Sequence, residues 1–300
     1  MNKAGSKNLI RPCKNDRVFD GVNTLFLLLI FLIVAYPLYF IIIASFSDPH
    51  AVSGGQVALL PKGLTLSGYR RIWAFSQIWL GYRNSIFYTF SGTIIALILT
   101  VTMAYPLSRQ DFKLRKPLLM MVTFTMFFGG GMIPTYLCIN KMGMINTIWA
   151  VILPGAISAS HVIIVRTFFQ GIPSDLTEAA AIDGCTNFRA FIRIVLPLSK
   201  AVIAVIALYV ASGLWNSYFG PMIYLTDRNL YPLQLFLRQI LIQNDMSGAD
   251  ISAASVAEEQ QIAQLIRYGI IIVSTVPMMI MYPFIQKYFV KGVMIGSIKG

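Results

Sequence analysis

Two histidines, three cysteines and twelve carboxylates are all that this 300-residue chain offers for acid–base, redox or metal chemistry, and they do not gather. Cys13, Cys138 and Cys185 are scattered without metal-ligand spacing or an obvious pairing, so neither a metal site nor a disulfide framework is expected. His161 lies in an apolar run that holds no carboxylate, which suits a hydrogen-bonded packing role and offers no proton relay. Met120, Met121, Met126 and Met132 lack cysteine or histidine company and read as helix-packing residues. The chain has no G-x-x-x-x-G-K-[ST] phosphate loop, no H-E-x-x-H and no dinucleotide fingerprint. It is expected to carry no catalytic residue, to bind no cofactor of its own and not to be an enzyme.

Two patterns do stand out. The first is Glu178 to Lys200, EAAAIDGCTNFRAFIRIVLPLSK. Ser174 or Asp175 can cap a short helix, and Glu178 early in it suits the helix dipole. Ala179, Ala180 and Ala181 give that helix a smooth surface for close approach. Gly184, after Asp183, stands where a helix end needs a left-handed residue, and Thr186 can cap a second helix. On that helix Phe188, Phe191, Ile192 and Val195 fall on one apolar face, and Leu196 and Pro197 close the segment. The expected role is docking, with Glu178, Phe188 and Phe191 toward a partner. The second pattern is Leu214-Trp215-Asn216-Ser217-Tyr218-Phe219-Gly220-Pro221, a polar-aromatic cluster inside an apolar run, in the outer part of the fifth predicted span. Aromatic faces suit the C–H surfaces of sugars, and amides and hydroxyls suit their hydroxyl groups. Interfacial anchoring beside a proline bend is the competing account of the same residues. Tyr136, behind Gly129-Gly130-Gly131, is a further candidate for the same pathway.

The elements that must position these residues are apolar. The chain is 56% hydrophobic and 12% charged, outside the range of soluble domains. Its net charge of +12 is better explained by basic loops flanking membrane spans than by nucleic acid. Six spans are predicted, at Leu25–Phe46, Asn84–Ser108, Pro117–Asn140, Met142–Val165, Ala201–Thr226 and Tyr268–Gln286, each about long enough for a bilayer core. The third should be interrupted near Phe128 by its glycines and Pro134. The N-terminus, the loops at 109–116 and 166–200 and the C-terminus hold sixteen of the 24 basic residues, which puts both termini and the Glu178–Lys200 loop in the cytoplasm. The organisation expected is an N-terminal cytoplasmic segment (1–21), a six-span domain (22–290) containing the loop 174–200, and a cytoplasmic tail (291–300). The largest outer hydrophilic insertion is 227–267, with Asp245, Asp250, Glu258 and Glu259 and an apolar stretch from Leu233 to Leu241.

The first pattern resembles the EAA loop of ABC importer permeases. Glu178, Ala179, Ala180, Asp183, Gly184, Phe191, Ile194, Leu196, Pro197 and Leu198 fill the family's positions, with Lys200-Ala201 where a proline is frequent. Trp215-Asn216, Tyr218 and Pro221 resemble that family's W-N-x-[YF]-x-x-P run. Gly129 to Tyr136 and Tyr231-Pro232-Leu233-Gln234-Leu235 resemble stretches of its oligosaccharide members, and Leu66-Ser67-Gly68-Tyr69 resembles an element that follows their first span. The resemblance, to the smaller permease subunit of the maltose and oligosaccharide type, implies an all-α type I importer permease in the bacterial cytoplasmic membrane. It also implies a homologous second permease, two ATPase subunits that use ATP and Mg, and an extracytoplasmic binding protein. Spans without charges suit a neutral oligosaccharide. The alternatives are a secondary carrier, disfavoured by the missing intramembrane carboxylates, and a permease for a non-sugar solute.

Overall fold

The computed structural model describes residues 14–246 and 266–283, and among them every regular element is helical. The chain divides into two compact units, residues 1–70 with 252–272 and residues 71–251 with 273–300.

In the first unit, α1 (Lys14–Ser45) has no charge after Asp20 and leaves Leu25, Phe26 and Phe31 more than half exposed, as suits a helix surrounded by lipid or by another apolar chain. Its last carbonyls are met by serines: Ser45 Oγ donates to Ile42 O at 2.7 Å and Ser47 Oγ to Ile43 O at 2.6 Å. Asp48 caps the short α2 (Pro49–Ser53) by accepting from His50 N at 2.8 Å. Tyr69, at the start of α3 (Ser67–Ala74), donates to Ser45 Oγ at 2.9 Å and stacks on Phe46 at 5.1 Å. The Leu66–Tyr69 element therefore fastens the end of α1.

The second unit is built on α4 (Ser76–Ser108). Gly81, Ser85, Thr89, Gly92, Ala96, Thr100 and Ala104 make a buried stripe of small residues along it. Small side chains at nearly every fourth position let backbones approach closely. A Cβ on Gly92 would lie 2.6 Å from Leu214, and one on Gly81 2.9 Å from Leu233 Cα. After α4 come α5 (Arg115–Phe127) and α6 (Met132–Lys141), bent by 116° at the three glycines, where Gly131 has φ +84°. The interruption expected near Phe128 is present. Next are α7 (Ile148–Ile152), α8 (Ala159–Gln170), α9 (Ser174–Ile182) and α10 (Asn187–Ala190). A π-helical turn at Phe191–Val195 leads to α11 (Leu196–Leu198), and a 78° bend at Ser199 opens α12 (Lys200–Trp215). The described chain continues through α13 (Phe219–Tyr224), a 3-10 turn (Arg228–Leu230) and α14 (Leu233–Met246), and resumes as α15 (Ile266–Pro283), whose residues from 273 belong to this unit.

Two polar groups of contacts hold these elements. Asn84 Nδ2 donates to Asn229 O at 2.7 Å and Tyr231 O at 3.0 Å, Tyr88 donates to Leu230 O at 2.8 Å, and Ser85 Oγ accepts from Leu233 N at 2.8 Å. Leu233, Leu235, Phe236 and Leu237 are buried, so the apolar stretch from Leu233 opens a packed helix in what was read as an outer loop. On α15, Pro277 has no N–H for the Val273 carbonyl, and the Tyr82 hydroxyl donates to that carbonyl instead. Trp215 Nε1 donates to the next carbonyl, Ser274 O, at 2.9 Å.

The span boundaries need correction. Val18–Ser45, Ser76–Ser108 and Ile266–Pro283 are long and apolar enough to cross a membrane, and the two bent pairs bring the described total to five. The predicted fourth span, Met142–Val165, is not one helix. Pro154 and Gly155 separate α7 from α8, and α8 runs on through Arg166 to Gln170. The fifth stops at Trp215, where Asn216 Nδ2 turns back to Ser212 O at 2.9 Å, so Thr226 lies well beyond it. α1 begins at Lys14, so its charged first turns, up to Asp20, belong to the segment expected to be cytoplasmic. The 291–300 tail, Cys13, Asp250, Glu258 and Glu259 lie outside the described residues.

Candidate functional site: an anchored loop with an apolar crest

The Glu178–Lys200 segment is two short helices fixed at three points. α9 starts behind Pro173, and neither Ser174 nor Asp175 caps it, against expectation; proline at this place fixes the entering backbone without a side-chain cap. Its far end forms both hydrogen bonds of a Schellman turn, from Gly184 N to Ala181 O at 3.0 Å and from Cys185 N to Ala180 O at 2.9 Å. Gly184 has φ +75°, the left-handed conformation expected of it. Thr186 caps α10 by accepting from Arg189 N at 3.3 Å.

The predicted single apolar face divides in two. Phe191 and Val195 are buried and belong to the core formed with Ala104, Leu107, Val165, Phe169 and Ile206. Phe191 stacks against Tyr105 at 4.6 Å and meets Phe169 at 6.5 Å, and Tyr105 donates to Asn187 O at 3.3 Å. Phe191 is therefore an internal anchor and not a docking knob. The reason is tertiary: Tyr105 and Phe169 cover the Phe191 side of the helix and leave the Phe188 side open. Leu196 packs against the same core, while Pro197 is exposed beside the bend.

What remains outward is a crest. Phe188 is 70% exposed and Ile182 87%, with Ile192 and Leu198 about half exposed. Ile182 was missed from sequence; its signal was a large apolar residue immediately before Asp183-Gly184, at the exposed end of an alanine helix. Ala179, Asp183 and Gly184 are exposed and Ala180 is half-buried. Glu178 lines a polar recess of about 370 Å³ with Thr177, Ser108, Arg109, Asp111 and Gln170. In its wall Arg109 grips Asp111 through two 3.0 Å hydrogen bonds, which hold that carboxyl below the usual carboxylate range.

The four proposed pathway residues do not form one site. Trp215 is 3% exposed and committed to Ser274, against the wall of an apolar cavity of about 430 Å³. Asn216 caps α12 through Ser212. Tyr136 is half-buried and stacks on Tyr224 at 6.3 Å. Tyr218 is 43% exposed, and the Arg238 guanidinium lies 4.9 Å from its ring centre. His161 is half-buried and stacks on Tyr209 at 6.1 Å, in keeping with a packing role.

A helical membrane bundle with a two-helix loop anchored at one end is the architecture of an importer permease. Residues 78–295 match the family described as "Binding-protein-dependent transport system inner membrane component", and the chain belongs to that family. It is 42% identical to Protein LplC of Bacillus subtilis (96% of this chain, 97% of that one). It is also 42% identical to the polygalacturonan/rhamnogalacturonan transport system permease YtcP of the same organism (95% and 99%). Against the arabinooligosaccharides permease AraQ of Halalkalibacterium halodurans identity is 27% (96% and 99%). The fold is that of a chain in the crystal structure of a bacterial ABC transporter that imports the acidic polysaccharide alginate, with TM-score 0.84, 31% identity, and 92% and 98% covered. The protein is thus a multi-pass membrane permease of the type I ABC importer fold, and the family is not itself catalytic.

Proposed function

We propose that this chain forms half of the translocation pathway of an ATP-driven oligosaccharide importer in a bacterial cytoplasmic membrane, with both termini cytoplasmic. An extracytoplasmic binding protein delivers the cargo, a homologous second permease supplies the other half, and two ATPase subunits hydrolyse ATP with Mg. The observation that carries this reading is the loop's two-sided construction, with Phe191 and Val195 buried and Ile182 and Phe188 exposed. A crest fixed to the bundle in this way passes on any force applied to it. An ATPase pair that contacts the crest differently when open and when closed shifts the permease between its states by that difference in contact energy. Relatives named for oligosaccharides and plant polysaccharides support the cargo class.

The test is uptake by the reconstituted complex. Uptake should require ATP, persist when the proton gradient is collapsed, and fall when Phe188 or Ile182 becomes serine. Uptake that follows the proton gradient at constant ATP would restore the secondary-carrier reading.

Charge-free spans favour a neutral cargo. One observation favours a second reading, an acidic oligosaccharide. Arg238 stands over the half-exposed Tyr218 ring, and among the described residues it has no ion pair. A cation beside an aromatic face suits a uronic acid, and relatives named for galacturonan and alginate transport lend it weight. Uptake of neutral and uronate oligosaccharides of equal length separates the two. Arg238→Gln should weaken only the uronate.

A further inference from the structure

Arg115 and Arg166 converge on one carboxamide. With the Gln170 amide turned so that its oxygen faces them, it accepts from an Nη2 of each arginine at 3.1 Å. Arg166 Nε also donates to Leu107 O at 3.0 Å. These oxygens satisfy individual N–H groups but carry no net charge. The single ion pair among the described residues is Arg109–Asp111, which engages both oxygens of the acid in the same loop. Lys113 and Lys116 add further positive charge beside Arg115. Two guanidiniums held on one oxygen repel each other and keep donors free on both forks. A phosphate, with several anionic oxygens, is the group that two such forks bind side by side.

The surroundings point to a phosphate carried on a lipid. Arg115 opens α5, and from it Leu118, Met121 and Phe124 follow at three-residue steps as an exposed ridge that winds obliquely around the helix to Phe128 at its end. Phe124 and Phe128 stack at 4.5 Å, which makes the lower part of this flank a flat apolar surface. Paired cations at the head of an exposed apolar flank match a lipid headgroup above its acyl chain. We propose that Arg115 and Arg166, bridged by Gln170, hold the phosphate of an anionic phospholipid whose chain lies along the Leu118–Phe128 side of α5. The inference does not depend on the identity of the cargo.

The assembled importer, solubilised in mild detergent, is titrated with phosphatidylglycerol or phosphatidylcholine and its bound lipids counted by native mass spectrometry. Wild-type complex should retain phosphatidylglycerol in preference, because the choline ammonium is repelled by the same cations. R115Q/R166Q should reduce that preference roughly thirtyfold, about fivefold for each basic group lost near the membrane surface. R115Q alone touches only the Gln170 contact and should cost about fivefold with assembly intact. Equal retention of the two lipids by wild type, or an unchanged preference in assembled R115Q, overturns the proposal. Inorganic phosphate is added in a third arm. If it displaces phosphatidylglycerol at equal concentration, the site belongs to a soluble phosphate and the lipid assignment fails.

Discussion

Gly184→Val isolates the geometry of the loop from its contacts. A Cβ built at Gly184 meets nothing within 4 Å, so the substitution causes no clash and removes no packing. Its whole effect comes from φ +75°, where a side chain meets its own backbone. That penalty is about 1–2 kcal/mol, with the β-branched residue at the upper end, or roughly a 5- to 30-fold shift against the Schellman turn. The turn fixes where α9 ends and hence where Ile182 is presented, whereas α10 and α11 are held independently by Phe191 and Val195. Membrane insertion and assembly should therefore survive. In a reconstituted complex, ATP hydrolysis stimulated by binding protein and cargo should fall by up to that factor, while unstimulated hydrolysis should change little. Gly184→Asn is the control, since asparagine tolerates the left-handed region, and it should retain most of the stimulation. Wild-type stimulation in Gly184→Val, or equal loss in the valine and asparagine variants, would refute the argument from backbone conformation.

Three further outcomes are expected. Single cysteines at 182 and 188 should react with a water-soluble thiol reagent in the isolated permease and be shielded once the ATPases bind, while a cysteine at 191 should stay unreactive in both states; rapid labelling at 191 would contradict its burial. Asn84→Leu leaves the Asn229 and Tyr231 carbonyls without their donor and should destabilise the 229–233 segment by roughly 1–3 kcal/mol, read as a lowered melting temperature and earlier proteolysis there; an unchanged melting profile would show the clamp to be idle. Trp215→Phe removes the bond to Ser274 O and should cost stability by about 1 kcal/mol with uptake nearly intact; a stable variant that no longer transports would return the indole to the pathway.

What the sequence made legible follows from how local each signal is. Gly184 and Thr186 were readable because a left-handed turn and a helix cap depend on residues within a few positions of each other, and both stand as expected. The break after Phe128 was readable for the same reason. Phe191 was not, because its fate depends on Tyr105 and Phe169, far away in the chain. The fourth span failed through hydropathy itself: an apolar run shows that a segment avoids water, but not that it is one helix, and Pro154-Gly155 cut it in two. Trp215, Asn216 and Tyr218 show the limit of composition. Their chemistry fits a sugar equally well whether each side chain points to a cavity or to a backbone carbonyl, and two of the three are bonded to carbonyls.

Several polar side chains of α4 and α12 are spent on backbone groups of neighbouring segments, while the Thr89, Thr93 and Thr100 hydroxyls are buried without such a partner. Asn84 and Tyr88 meet carbonyls of the 229–231 turn, Ser85 meets the first amide of α14, and Tyr82 and Trp215 meet carbonyls beside Pro277. Losing any one of these contacts costs about 1–3 kcal/mol in an apolar surrounding, so none is easily exchanged during transport. The part of α15 from residue 273, α14 and the Trp215 end of α12 are thereby tied to α4. At the other end of α4, Tyr105 holds Phe191 and the Asn187 carbonyl of the loop. Under the proposed function, force applied at Ile182 and Phe188 would thus enter the helix that carries most of this unit's packing.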